Sequence, residues 1–169
     1  MNRREEGLFI LLTLRPLGMA GMIGLLLFAI DPRWMAWSAV PLPDSVRWVG
    51  AGVGVIAGAL FIATLRALGP NLTDTVVTRA HHTLVTTGPY RWVRHPFYLA
   101  SALAVVANAL TAANSFIGVT SAAAVVLLLI RATTEEHHLE KRFSPEYTRY
   151  VRRTGRFLPR LRTPASSSQ

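Results

Sequence analysis

Cysteine is absent from all 169 residues, which excludes disulfide frameworks, thiolate metal sites and cysteine nucleophiles and leaves the redox compartment open. Charge is scarce as well: 16% of residues are charged and nine are acidic, against 51% that are apolar. That balance excludes an ordinary soluble domain and reads as a membrane protein, with a single domain over 1–162 and a small, polar, disordered tail over 163–169. The formal charge of +9 has a nucleic-acid reading. The basic residues, however, fall between apolar runs and in the tail rather than over a surface, so nucleic acid is not an expected partner. A cleavage signal is also wanting: Met1-Asn2-Arg3-Arg4 precedes an apolar stretch, but no small-residue site stands near Ala29-Ile30-Asp31-Pro32, and an uncleaved first span is expected.

What the chain has is apolar runs, at about 8–30, 46–68, 97–113 and 115–130, each near the roughly 20 residues that cross a bilayer. They predict an all-α integral membrane protein of about four transmembrane helices. The third and fourth are joined only around Asn114, which demands a tight antiparallel hairpin. Both are rich in Ala, Ser, Val and Gly, and are expected to form the inner pair of the bundle. Gly50, Gly52, Gly54 and Gly58 in the second span contain Gly-x-x-x-Gly spacing, which marks a packing face. Arg15-Pro16 interrupts the first span and predicts a kink with Arg15 near the headgroups. Arg3, Arg4, Arg66, Arg79, Arg91, Arg94, Arg131, Lys141 and the tail arginines fall on one side, with only Arg33 and Arg47 on the other. The positive-inside rule therefore turns both termini and the 69–96 connection toward the cytoplasm, and the Asn71-Leu72-Thr73 sequon is discounted.

The fourth helix is expected to continue past its apolar part through Arg131 to Phe143, about three turns into the cytoplasm. Ser144-Pro145 reads as an N-cap followed by proline at the first position of a short terminal helix. That helix carries Tyr147, Tyr150 and Val151 on one face and ends at Gly155.

Chemistry concentrates in Gly88-Pro89-Tyr90-Arg91-Trp92-Val93-Arg94-His95-Pro96-Phe97-Tyr98 and in Glu135-Glu136. Antiparallel geometry brings His95 and Tyr98, at the start of one hairpin helix, to the depth of the two carboxylates on the other. The pocket so formed has an apolar floor, aromatic walls from Tyr90, Trp92 and Tyr98, a histidine and an acidic rim, which suits an amphiphilic cation. Gly88-Pro89 would aim backbone groups at it. His81-His82, His95 and His137-His138 raise a di-iron site, but adjacent histidines on a helix point about 100° apart and the ligand set is thin, so no metal is expected. Arg149, Arg152, Arg153, Arg156, Arg160 and Arg162 read as an anchor for anionic lipid headgroups.

The order Gly88-Pro89-Tyr90, Arg94-His95-Pro96-Phe97-Tyr98, Glu135-Glu136, Leu139, Phe143, Tyr147, Tyr150 and Arg156-Phe157-Leu158-Pro159 resembles the isoprenylcysteine carboxyl methyltransferase and phospholipid N-methyltransferase superfamily. The resemblance covers about 68–159, and the first two spans share only hydropathy with it. It implies S-adenosylmethionine in a cytoplasm-facing pocket and an acceptor that enters from the bilayer. Carried over by position, Gly88, Pro89, Tyr90, His95, Pro96, Tyr98, Glu135 and Glu136 would bind the cofactor, and Arg94, His95 and Glu136 would serve catalysis. Ala100 and Ser144 stand where the family often has glycine. Arg94 has a structural alternative, bonding carbonyls at the hairpin end. A carboxylate acceptor would want an arginine such as Arg94, Arg131 or Arg149, an amine would want a base, and a thiol a small apolar niche; all three stay open. The competing functions are a nicotinamide-dependent reductase of the steroid-reductase type, which shares a His-Pro-x-Tyr signature, and a non-catalytic lipid-binding protein. Oligomeric state is not readable, because Gly-x-x-x-Gly faces pack within a chain as readily as between chains.

Overall fold

The computed structural model describes residues 10–69 and 84–160. Arg3, Arg4, the Asn71-Leu72-Thr73 sequon, Arg79, His81-His82, Arg162 and the 163–169 tail lie outside the described residues. Among the described residues the chain forms α1 (Arg15–Ile30), α2 (Asp44–Leu68), α3 (Pro96–Ala112), α4 (Ser115–Phe143) and α5 (Glu146–Arg153), with short 3-10 turns at Pro32–Ser38 and Gly88–Arg91. A π-helical turn, Ile10–Leu14, precedes α1, and two isolated β-bridges join Ala39 with Asn114 and Val93 with Gly155.

Three stretches are long and apolar enough to cross a membrane, Leu12–Ile30, Asp44–Leu68 and Ser115–Phe143. The third expected span is shorter. α3 has 17 residues, about 25 Å at 1.5 Å per residue against a hydrocarbon core of about 30 Å. Pro96 sets its first turn and Ala113, in the left-handed region at φ 49°, ends it. Large side chains such as Met19, Met22, Ile23, Val55, Ile56 and Val119 are exposed on the helices, an arrangement that water would penalise and lipid accepts. Trp34, Trp37 and Trp48 are exposed together at the end of the bundle away from the carboxylates, as an interfacial belt would be. The protein is an integral membrane protein.

The interruption at Arg15-Pro16 is a π-helical turn, Ile10–Leu14, that precedes α1. Proline has no N–H to give to the carbonyl one turn back, and the wider turn accommodates its ring. Arg15 is exposed.

Packing departs from the expected order. The hairpin helices α3 and α4 are not the most intimate pair; α2 and α3 are. The cause is Gly50, where a Cβ would come within 2.7 Å of Thr111 Oγ1 and 2.8 Å of Leu110 Cβ and the Thr111 backbone N. Gly54 continues this face against Ala107, whereas Gly52 and Gly58 look into open space. α1 lies on α4, with Gly21 beside Ser121 and Gly24 beside Phe116.

The hairpin turn is tight, as expected, and is held from outside. Asn114 Oδ1 accepts from the Ile117 N–H at 3.1 Å, capping α4, and from Ser38 Oγ at 3.0 Å. Its Nδ2 donates to Met35 O at 2.9 Å, so a buried amide ties the Pro32–Ser38 turn to the hairpin.

At the other end, Ser144 does not cap the last helix. Its N–H donates to Glu140 O and closes α4 instead; Pro145 takes the N-cap position, and α5 starts at Glu146. α5 stops at Arg153, before Gly155, which is engaged in the bridge to Val93.

Candidate functional site

α4 outlasts its uncharged stretch of 115–130 and carries Glu135 and Glu136 beyond it. Against this overhang the chain folds two segments that are far apart in sequence. Arg94 N–H donates to Gly155 O at 2.8 Å, His95 N–H to Arg156 O at 3.1 Å, and Gly155 N–H to Trp92 O at 3.2 Å, a two-residue parallel ladder that fixes 92–95 beside 155–156. α3 then starts at Pro96 and presents Tyr98 one turn on.

The side chains converge on the two glutamates. Glu136 Oε1 accepts from Arg94 Nε at 2.9 Å and faces His95 Nε2 at 3.1 Å, while Oε2 lies 3.3 Å from Arg156 Nε. An ionised carboxylate can only accept, so His95 carries its proton on Nε2 here. Arg94 also donates from NH1 to Thr154 O at 2.7 Å, and Arg156 from NH2 to Thr133 Oγ1 at 2.9 Å. Glu135 Oε2 accepts from Tyr98 OH at 2.7 Å. The His95 ring stacks on Tyr98 at 5.2 Å and leans on Phe157 at 5.6 Å.

The two carboxylates are therefore not equivalent. Glu136 is 22% exposed in its side chain and spends both oxygens on cationic neighbours. Glu135 is 33% exposed and holds one phenol. Three tyrosines line the cluster from the loop and α5. Burial, reinforced by the charge of Glu135, pushes the Tyr90 phenol well above its ordinary range. Burial does the same to Tyr147, with Glu136 adding to it. Tyr150 is pushed up by burial to about 12 and donates to Tyr90 O at 2.6 Å. All three stay protonated at neutral pH, so each is a hydrogen-bond donor.

Among the residues singled out from sequence, Arg94, His95, Tyr98, Glu135 and Glu136 are brought together, and the charge of Glu135 acts on Tyr90. Pro96 is buried at the base of α3. Gly88 sits apart, at φ 58° with Ala67 Cβ 3.0 Å from where its own would be. Pro89 O is taken by the N–H groups of Trp92 and Val93. Trp92 is not a wall of the cluster: it is 55% exposed, with Arg91 stacked on its ring at 4.2 Å. Arg156, read with the headgroup-facing tail, turns inward to Glu136. Thr154, Tyr147 and Tyr150 complete the surround; the spacing of the two tyrosines marked a helix face but not where it points. Among the described residues no three His, Cys, Asp or Glu side chains gather as a metal site would need, and His81-His82 lie outside them.

Residues 50–141 match the isoprenylcysteine carboxyl methyltransferase (ICMT) family. The chain belongs to this family. The match takes in most of α2, which shared only hydropathy on the motif reading, and stops short of α5. Membership makes the chain part of a methyltransferase family and does not favour nicotinamide-dependent reduction. Among curated relatives, the chain is 33% identical over 124 residues to the cobalt-zinc-cadmium resistance protein CzcN of Cupriavidus metallidurans, covering 68% of this chain and 55% of that one. It is 36% identical over 79 residues to the nickel-cobalt-cadmium resistance protein NccN of Alcaligenes xylosoxydans xylosoxydans, covering 46% and 37%. The chain thus spans about half the length, or less, of these relatives. Among solved structures, the eukaryotic intramembrane Ras methyltransferase ICMT superposes with a TM-score of 0.61 at 20% identity, over 86% of this chain and 51% of that one, which shows a shared fold.

Proposed function

We propose that the protein transfers a methyl group from S-adenosylmethionine to a lipid-like or small apolar acceptor at the cytoplasmic membrane face. The observation that carries the reading is the convergence of Glu135 and Glu136 with Arg94, His95 and Tyr98 at one end of a membrane bundle of this family. The donor set fits the proposed cofactor. Carboxylates, guanidiniums and phenols together complement a ligand that bears an ammonium, a carboxylate and ribose hydroxyls. When bound, S-adenosylmethionine supplies an electrophilic methyl on a sulfonium.

Methyl transfer at such a centre asks for alignment and dryness more than for a strong acid or base. The chain's residues are suited to that task. Glu136 locks Arg94, His95 and Arg156 in place, and through His95 fixes the stack on Tyr98 and Phe157. Glu135, the more open carboxylate, is the group we assign to an ammonium or ribose hydroxyls. The distribution of arginines supports a cytoplasmic site, and the exposed arginines of α5, Arg149, Arg152 and Arg153, support contact with anionic lipid. The nature of the acceptor, amine, carboxylate or thiol, is left to experiment.

Calorimetric titration of the detergent-solubilised protein with S-adenosylmethionine, S-adenosylhomocysteine and NADPH in parallel tests this. Adenosyl ligands are expected to bind and NADPH not to; the reverse pattern would remove the reading. An acceptor screen of membrane lipids and small thiols follows a positive result.

A further inference from the structure

Tyr147 is buried on the inner face of α5, its ring 6.2 Å from that of Tyr150, yet its hydroxyl makes no hydrogen bond among the described residues. Proteins seldom leave a buried hydroxyl unpaired, because the lost hydration is not recovered. The charges of Glu136, Arg94 and Glu135 all act on this phenol. Two of them are already committed, Glu136 to Arg94, His95 and Arg156, and Arg94 to Thr154 O as well, while Glu135, the more exposed carboxylate, accepts from Tyr98. Tyr150, one turn along, shows the contrast, since its hydroxyl is spent on Tyr90 O and serves only to hold the loop.

We infer that the Tyr147 hydroxyl is a ligand-contacting donor that binds the amino-acid end of the methyl donor, pairing with its carboxylate while Glu135 meets its ammonium. This rests on the methyltransferase reading above. A zwitterion needs a donor and an anion side by side. Tyr147 offers the donor and Glu135 the anion, since the charge of Glu135 acts on the phenol and Glu135 is the more exposed of the two carboxylates. The phenol keeps its proton at neutral pH, so it donates to an anion rather than repelling it.

The test is calorimetric titration of the wild type and of Tyr147→Phe with S-adenosylhomocysteine and with 5′-deoxy-5′-methylthioadenosine, which has the adenosine and sulfur but no amino-acid end. Phenylalanine keeps the ring and its packing. S-adenosylhomocysteine is expected to bind the variant about tenfold more weakly, a loss of about 1.4 kcal/mol. Methylthioadenosine should bind both proteins alike, and their melting temperatures should agree. Tyr150→Phe is the structural control: it should lower the melting temperature and, if it changes affinity, change it for both ligands equally. Unchanged affinity of Tyr147→Phe for S-adenosylhomocysteine overturns the inference, as does an equal loss for both ligands. Failure of the wild type to bind any adenosyl ligand would instead remove the methyltransferase reading, and is visible before any variant is made.

Discussion

Replacing Glu136 by alanine strips one acceptor from three cationic or hydrogen-bonding partners at once. Arg94 loses a 2.9 Å bond, His95 a 3.1 Å bond and Arg156 a 3.3 Å ion pair. Hydrogen bonds to a charged group contribute about 1.5–3 kcal/mol each, and breaking a buried ion pair costs about 3–5 kcal/mol because the orphaned charge stays behind. Two features reduce this figure: Arg94 keeps Thr154 O, and the Glu136 side chain is 22% exposed, so water can enter. A loss of about 3 kcal/mol is expected. Glu135→Ala removes one hydrogen bond from a neutral phenol at a more open position and should cost about 1 kcal/mol. For a chain of this size each kcal/mol moves the melting temperature by about 2–4 °C. Thermal unfolding in detergent should therefore fall by about 6–12 °C for Glu136→Ala and about 2–4 °C for Glu135→Ala. Affinity for S-adenosylhomocysteine runs differently, since Glu135→Ala should lose binding while remaining folded. Equal melting temperatures for the two variants, or a larger loss for Glu135→Ala, would refute the division of labour between the carboxylates.

Two further outcomes check the frame of the site. Gly50→Ala should destabilise by about 1–3 kcal/mol, because a methyl would meet the backbone N of Thr111 at 2.8 Å, whereas Gly52→Ala, facing open space, should be neutral or stabilising by up to about 1 kcal/mol; paired thermal melts decide it. The absence of native cysteine allows the orientation to be read by labelling: Leu158→Cys should react with a membrane-impermeant maleimide only from the cytoplasmic side and Arg33→Cys only from the opposite side, and the reverse would invert the topology.

The parts of this fold legible in the sequence are those written by local pattern. Apolar runs set the helices, Asn114 marked the hairpin turn, and antiparallel geometry alone was enough to bring His95 and Tyr98 toward Glu135 and Glu136. What was not legible depends on contacts without periodicity. The motif reading took in Arg156, but spacing alone does not separate it from Arg152 or Arg153, and it is the ladder to 92–95 that turns it inward. Small-residue content favoured the hairpin as the inner pair, but close approach depends on where the smallest residue meets backbone, and Gly50 meets that of α3. Ser144 was legible as a capping residue and not as to which helix its N–H would close.

The mismatch between the hairpin helices explains why the site needs the C-terminal segment at all. α4 has 29 residues and α3 has 17, so α4 runs about 18 Å beyond the point where its partner stops. Glu135 and Glu136 lie on that overhang, where an isolated helix would leave them solvated and mobile. Cover has to come from elsewhere, and it comes from backbone that is not helical: 92–95 on one side and 154–157 on the other, joined by their own ladder. Gly155 is the position that makes the joint possible, since any Cβ there would run into the carbonyl of Leu158. The ladder then delivers Arg94 and His95 from one segment and Arg156 from the other to the same carboxylate. A polar network of this kind suits the edge of a bilayer. Glu136 is closed in enough for its ion pairs to hold geometry, and Glu135 beside it is the more exposed of the two.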